Sequence, residues 1–326
     1  MELDLVLLFS SIVAGAAPIV LASVGETVTE KAGVINLSLD GSILLSAMVG
    51  FVTAYRTGSL LLGFAAGALA GGLVAAVVGV FSIYLRQSQV AVGFVLTLTA
   101  RDLAYFFGNP YSRLYGPQAS PVPIPGLGDI PVLGPVLFGQ SAPVYMSLAA
   151  VVLAWWYLYR TPRGLALRAV GENPKAAYAR GFDPRRIQLF YTVAGGLLVG
   201  LAGAAFSLAV KPGWGRPQGA EGTGWIALAI VIFGGWHPVR AALGAYLFAF
   251  LQVMGIHLQD VWPSIPSQVF QVAPFPLMIF ALLLTNAAWK RPKGAGAGSG
   301  RSPAARFLGV FTGAPPASLG RPFQPD

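Results

Sequence analysis

The chain has 326 residues, of which 55% are hydrophobic and only 10% are charged, whereas an average soluble domain has about 25% charged residues. So few charges cannot cover a water-exposed surface, and the absence of cysteine excludes disulfides and thiolate metal sites. The net charge of +9 does not indicate nucleic-acid binding, because the basic residues lie between long apolar runs, as in the cytoplasmic loops of membrane proteins.

Apolar runs that approach the roughly 20 residues needed to cross a hydrocarbon core of about 30 Å recur along most of the chain. They cover residues 5–24, 37–54, 60–83, 89–107, 143–159, 187–209, 223–235, 241–257 and 268–286. The sequence therefore predicts an all-α fold, a polytopic bundle of about nine transmembrane helices within residues 1–291. Small residues at every fourth position from Gly63 to Gly79, and again from Gly196 to Ala204, predict close helix packing.

The distribution of lysine and arginine predicts the orientation of this bundle, because cytoplasmic loops are enriched in both. With residues 160–186 in the cytoplasm, the cytoplasmic segments carry sixteen basic residues and the external loops four. An odd number of spans places the termini on opposite sides. We therefore expect an external N-terminus and a cytoplasmic C-terminus.

Two segments between or after the spans have an unusual composition. Residues 108–142 contain seven Pro and six Gly but also apolar residues, which favours an ordered external loop that packs over the pathway. Residues 292–326 are rich in Gly, Pro, Ala and Arg without an apolar period. They are predicted to be a disordered cytoplasmic tail.

Polar side chains inside the second span form a stripe. It begins at Asn36 and Asp40, and its shared helical face carries Ser38, Ser42, Ser46 and Thr53. Residues spaced by three or four share a helical face, and polar residues within the membrane are functional candidates by default. The stripe therefore predicts a hydrophilic pathway. The alternative is that the hydroxyls bond only to their own or a neighbouring helix.

The fourth span also carries polar residues on one face, Thr97 and Arg101, with Asp102 beside Arg101. A fixed cation there would attract or orient a solute. The alternative is that Arg101 pairs with Asp102 or extends to the membrane interface.

No constellation of residues indicates an enzyme. The histidines His237 and His257 fall at opposite ends of the eighth span and cannot meet at one metal. The sequence has no GxSxG, HExxH or Walker A motif. We expect no cofactor and no catalytic residue, so any ATP that drives transport would be bound and hydrolysed by another chain.

The most informative segment is the basic stretch at residues 160–186. It contains two short amphipathic pieces that are interrupted between Gly171 and Pro174. Asn173 is placed to cap a helix that starts at Pro174. Such short helices suit a groove on a partner protein, although an ordinary basic loop that fixes topology would have the same composition.

Four stretches together carry a family resemblance. They are residues 25–41 (GETVTEKAGVINLSLDG), 130–135 (IPVLGP), 163–177 (RGLALRAVGENPKAA) and 224–236 (GWIALAIVIFGGW). In this order they resemble the permease subunits of ATP-binding-cassette importers, within the superfamily that serves branched-chain amino acids, simple sugars and nucleosides. The nucleoside permeases that work with basic-membrane-protein lipoproteins are most similar. The family commonly has Glu where this chain has Asp40, a conservative departure.

The resemblance implies a multi-pass subunit of a bacterial plasma (inner) membrane. Its partners would be an ATPase subunit, a second permease subunit that is the same or a different chain, and an external substrate-binding lipoprotein, with no nucleic acid. It also implies that a coupling loop rests on the ATPase. The coupling residues would be Gly164, Leu165, Arg168, Ala169, Gly171, Glu172, Asn173, Pro174, Ala176 and Ala177.

We therefore expect a permease that imports a nucleoside or related polar solute by alternating access. The same architecture would also suit a sugar or a branched-chain amino acid, although a zwitterion would favour paired charges near mid-membrane. An ion-coupled secondary transporter would need buried acidic or histidine relays, which are scarce. A membrane-bound enzyme would need a nucleophile or metal set, and none is evident.

Overall fold

The structure is a computed structural model that describes residues 5–261 and 313–324, together with the single residues 269, 272 and 276. This part of the chain is helical and contains no β-strand, only an isolated bridge between Pro121 and Ser141. The all-α prediction is confirmed for the described residues. The predicted span 268–286 lies outside them, apart from the three single residues.

Ten α-helices follow one another in the described residues. They are α1 (Leu5–Lys31), α2 (Leu39–Thr57), α3 (Leu60–Gly79), α4 (Gln89–Gly108), α5 (Ala142–Arg160), α6 (Pro162–Glu172), α7 (Pro174–Ala179), α8 (Pro184–Ala205), α9 (Thr223–Phe233) and α10 (Pro238–Val261). Helices α3 and α8 each continue into a π-helical turn, Val80–Tyr84 and Phe206–Val210.

Six helical segments of the described residues are long and apolar enough to cross a membrane. They are Leu5–Lys31, Leu60–Tyr84, Gln89–Tyr111, Ala142–Arg160, Pro184–Val210 and Pro238–Leu258. Helix α2 is not among them, because Asp40 and several hydroxyl residues lower its hydropathy. It is instead enclosed by α3, α4, α8 and α9, and its Ile43 and Phe51 side chains are fully buried.

The predicted packing seam joins α3 to α8. A Cβ atom added to Gly71 would lie 2.5 Å from the carbonyl oxygen of Gly196. The two backbones thus touch where both helices carry small residues. Dispersion contacts at such seams stabilise helix pairs in lipid, where the hydrophobic effect between helices is absent. The prediction from the four-residue spacing is confirmed.

The bundle has two distinct ends. One, called the loop end, holds residues 108–142, the start of α1 and residues 211–222; Gln140 Nε2, for example, donates to Ser10 Oγ at 2.8 Å. The other, called the coupling end, holds the end of α1, helices α6 and α7, and residues 313–324. The loops thus lie at two ends of the bundle, and residues 108–142 include the π-helical turn Gly134–Phe138.

Two features of the coupling end differ from expectation. Helix α1 does not end near residue 24 but continues to Lys31, because its polar residues are buried among other helices instead of meeting water. Within the predicted disordered tail, residues 313–324 follow a defined path and contact the end of α6, which the composition of the tail did not indicate.

Candidate functional site

Three residues of the predicted stripe at the start of α2 form a connected chain of hydrogen bonds. Ser38 Oγ donates to Asn36 Oδ1 at 2.5 Å and lies 3.2 Å from Ser42 Oγ. All three side chains are buried. The Ser46 hydroxyl is also buried and forms no hydrogen bond within the described part of the chain. The stripe therefore lies inside one subunit.

Asp40 marks the point where two helices begin. Its Oδ1 accepts a hydrogen bond from the backbone N–H of Gly224 at 3.1 Å. A Cβ on Gly224 would lie 2.2 Å from the Asp40 nitrogen, so only glycine permits this approach. The N-termini of α2 and α9 thus converge on one carboxylate, which complements the positive ends of both helix dipoles.

Helix α9 is too short to cross a membrane alone. Its 11 residues extend about 16 Å at 1.5 Å per residue, roughly half of a hydrocarbon core. Transporters commonly place their polar sites where such half-helices begin. A solute site at the start of α9 beside Asp40 therefore stays a prediction.

The two predicted residues of α4 have different surroundings. Thr97 is buried and its Oγ1 donates to the Leu37 carbonyl at 2.6 Å, which brings it to the α2 stripe. Arg101 is 44% exposed and pairs with Asp102 at 3.4 Å, as the alternative interpretation expected. The structure thus brings six of the seven predicted pathway residues together. Arg101 pairs with Asp102, and it also lies close enough to Asp40 for their charges to interact. Contact of these residues with a solute stays a prediction.

The sequence analysis did not identify two buried carboxylates of α1. Glu26 Oε1 accepts from the Asn36 N–H at 3.1 Å, and the Glu30 carboxylate accepts from Trp236 Nε1. These bonds tie α1 to the turn before α2 and to the turn between α9 and α10. The signal was present in the four-residue spacing of Glu26 and Glu30, which places both on one face of a helix.

A second polar cluster lies at the loop end. The Tyr105 hydroxyl donates to the Glu221 carboxylate, which also accepts from the N–H groups of Gln218 at 2.8 Å and Gly219 at 2.6 Å. The Arg216 guanidinium lies 4.8 Å from the Tyr105 ring centre. Burial would raise the pKa of Glu221, but the bond from Tyr105 and the amide bonds together hold it below its ordinary value.

An open cavity of about 480 Å³ adjoins this cluster. It is lined by Asp102, Tyr105, Phe106, Asn109, Pro110 and Arg216. Aromatic faces next to carboxylate, amide and guanidinium groups suit a ligand that combines flat apolar surface with hydroxyls. The cluster thus offers a polar recess at the loop end of α4.

Helices α6 and α7 confirm the local prediction for the basic segment. Thr161 Oγ1 accepts from the Gly164 N–H and caps α6, while Asn173 Oδ1 accepts from the Ala176 N–H and caps α7, both at 3.0 Å. The segment is therefore two short helices with a sharp break at Asn173, as the positions of asparagine and proline indicated.

The predicted coupling residues divide between two faces of these helices. Exposed are Leu165, Glu172, Asn173 and Ala176; half-buried are Arg168, Ala169 and Pro174; buried are Gly164, Gly171 and Ala177. The buried face attaches the helices to the bundle, and the exposed face is free to meet a partner. Contact with an ATPase stays a prediction.

The end of α6 rests directly on the end of α1. A Cβ on Gly171 would lie 2.1 Å from the Lys31 carbonyl oxygen, so the two backbones are in contact. Gln188 of α8 donates to the Ala32 carbonyl at 3.2 Å. The end of α6 therefore lies directly against the turn that leads into the α2 stripe.

The described residues contain no group of three histidine, cysteine or acidic side chains able to hold an ion. His237 and His257 lie at opposite ends of α10, as expected.

Comparison with known proteins adds a family to this geometry. The family model for the permease component of the branched-chain amino acid transport system matches residues 8–282. Among similar proteins is the ABC transporter permease TsgC13 of Haloferax volcanii, named for glucose, which is 37% identical over 258 residues that make up 78% of each chain.

Two further relatives cover more of their own length. The guanosine ABC transporter permease NupQ of Bacillus subtilis is 33% identical over 86% of this chain and 93% of its own. The nucleoside ABC transporter permease NupC of Lactococcus lactis is 32% identical over 83% of this chain and 90% of its own. No solved structure matches the chain.

Proposed function

The chain belongs to the family of permease components of the branched-chain amino acid transport system, and on that premise we propose that it forms the membrane pathway of an ATP-driven importer. Its relatives are ABC transporter permeases, which are membrane subunits and not enzymes. ATP hydrolysis therefore belongs to a separate ATPase subunit. A second permease subunit, the same chain or a different one, and an external substrate-binding lipoprotein complete the proposed assembly.

The proposed solute is a nucleoside, with a simple sugar as the second candidate. Relatives named for guanosine, nucleosides and glucose support both. A neutral, hydroxyl-rich solute also fits the hydroxyl and amide groups around the start of α2. A branched-chain amino acid would need paired charges at that point, whereas Arg101 is already paired with the exposed Asp102.

We place the coupling end in the cytoplasm and the loop end outside, as the excess of basic residues at the coupling end supports. The six long helices, together with α2, α9 and the predicted span 268–286, make the proposed nine spans. In this arrangement α2 and α9 cross only with the support of the helices around them.

One observation carries the proposed mechanism: α6 has an exposed outer side, and its end touches the end of α1 at Gly171. Closure of an ATPase pair would push on α6 and α7. Because Gly171 and Lys31 are in backbone contact, the push reaches the turn that holds Asn36. The hydrogen bonds of Glu26 and Asp40 then differ between two packings of the helix bundle. Alternating access requires that the relative stability of two such packings changes.

The loop-end cluster supports the delivery step. A solute released by the binding protein would first meet the recess beside Tyr105 and Arg216, where an aromatic ring and a guanidinium group can hold a base or a sugar weakly. Weak binding favours onward movement.

Reconstitution in proteoliposomes tests the proposal. The chain, its ATPase, any second permease subunit and the binding protein are combined with ATP, and uptake of labelled guanosine is measured with glucose and leucine as competitors. We expect uptake that stops when the ATPase is inactivated by substitution of its catalytic residues. Uptake at an unchanged rate without ATP hydrolysis would refute the proposal in favour of an ion-coupled carrier.

A further inference from the structure

Residues 313–324, called here the C-terminal strap, tie two parts of the coupling end together. The Ser318 N–H donates to the Gly171 carbonyl at 3.0 Å, and Ser318 Oγ donates to the same carbonyl at 2.6 Å. The Gly320 N–H donates to the Gly33 carbonyl at 3.1 Å. The strap therefore bridges the end of α6 and the turn that follows α1.

These bonds complete the C-terminus of α6. The last four carbonyls of any α-helix have no partner within the helix. In α6 the Ala169 carbonyl accepts from Asn173, whereas those of Val170 and Gly171 accept from Ser318. The strap thus donates hydrogen bonds to carbonyls that the break at Asn173 leaves without partners in the helix.

The strap also contacts α7. The Phe323 ring lies 5.5 Å from the Tyr178 ring, and the Ala317 N–H donates to Glu172 at 3.2 Å. Ser318 is 7% exposed and Phe323 is 6% exposed. Helices as short as α6 and α7 are marginal without tertiary contacts, so the strap stabilises their position.

The outer face of α6 and α7 stays open while the strap is in place. Leu165 remains 60% exposed and Tyr178 55% exposed, and Lys175 and Ala176 are also exposed. The strap thus lies beside the contact between α6 and the end of α1, where it bonds to Gly171 and Gly33. It reinforces the outer face and does not cover it.

We propose that the C-terminal strap is a permanent part of the surface that receives the ATPase, where it locks α6 and α7 to the α1–α2 turn. This inference rests on the proposed function, since it takes the ATPase as the partner. With the strap attached, a push on α6 moves the turn. Without it, α6 tilts on its exposed side and the push is lost.

The test compares three variants of the full chain with the unmodified protein in the reconstituted complex. One ends after Thr312, one is Ser318→Ala with Phe323→Ala, and the matched control is Gln324→Ala at an exposed strap position. We expect solute-stimulated ATP hydrolysis to fall by about tenfold in the first two, equivalent to about 1.4 kcal/mol. The control is expected to match the unmodified chain. Size-exclusion profiles in detergent report whether the variants fold.

A second measurement separates a permanent strap from one that must leave. Because the chain has no cysteine, Tyr178→Cys with Phe323→Cys creates a single pair for a short bifunctional thiol reagent. We expect cross-linking with and without bound ATPase, and faster hydrolysis after cross-linking than before it, because the link replaces the lost ring contact. Loss of cross-linking on ATPase binding, loss of activity after it, or faster hydrolysis in the truncated chain would overturn the proposal.

The two proposals fail in different ways. If hydrolysis is the same in the truncated and unmodified chains, the strap has no such role while the importer stands. If the unmodified chain neither binds nor stimulates an ATPase, the proposed function itself is wrong, and the proposed role of the strap is then wrong as well.

Discussion

Replacement of Gly171 by alanine tests whether α6 drives the α1–α2 turn. The new Cβ would lie 2.1 Å from the Lys31 carbonyl oxygen, where ordinary contact begins at 3.4 Å. Neither atom belongs to a flexible side chain, so the end of α6 must shift by more than an ångström. Overpacking of this kind costs about 1–3 kcal/mol, which corresponds to roughly a fivefold to hundredfold change in an equilibrium.

We expect Gly171→Ala to lower solute uptake per ATP hydrolysed by a factor in that range, while membrane insertion is unchanged. Uptake and phosphate release are measured in the same proteoliposomes. Gly15→Ala is the matched control, because an added Cβ at Gly15 of α1 meets nothing within 4 Å. An unchanged uptake-to-hydrolysis ratio in Gly171→Ala would refute a push that travels through this contact.

Three other predictions follow from the site. Ser42 and Ser46 are 1% and 0% exposed, so Ser42→Cys and Ser46→Cys should resist aqueous thiol reagents in the isolated protein and react with them during turnover. If both cysteines are protected in every state, Ser42 and Ser46 serve only in packing. Asn173→Ala removes a cap worth about 1 kcal/mol and should weaken ATPase binding by about fivefold, measured by surface plasmon resonance. Glu221 stabilises the fold at pH values above the ordinary carboxyl pKa, and this contribution is lost as the pH falls through the lowered pKa of Glu221 in the folded state. In Glu221→Gln, the midpoint temperature of unfolding should therefore depend less on pH in the acid range.

Patterns that depend on local spacing were predicted from the sequence. Small residues four apart in α3 and α8 indicated a seam because only their spacing matters for backbone approach. The cap at Asn173 followed from the preference of asparagine and proline for helix starts. These features are confirmed because each depends on a few neighbouring residues.

Features that depend on distant contacts were not predicted. The predicted first span stopped at residue 24, before Glu26 and Glu30, and a charge next to lipid costs free energy. In the structure both are enclosed by protein, and their partners Asn36 and Trp236 come from other segments. The path of the strap depends likewise on carbonyls of α6 that no property of residues 313–324 indicates.

Under the proposed function, the meeting of α2 and α9 at Asp40 would let a bundle with few charges favour a hydroxyl-bearing cargo. When the two helices separate, the Gly224 N–H and the Asp40 carboxylate lose their mutual bond, and a buried group without a partner costs about 1–3 kcal/mol. In the proposed cycle, a solute hydroxyl that bonds to both groups removes much of that cost, whereas an apolar molecule of the same size leaves it in full. Selectivity then comes from the state in which α2 and α9 are separated, and not from tight binding while they are in contact. Because no tight binding is needed, release of the solute stays fast.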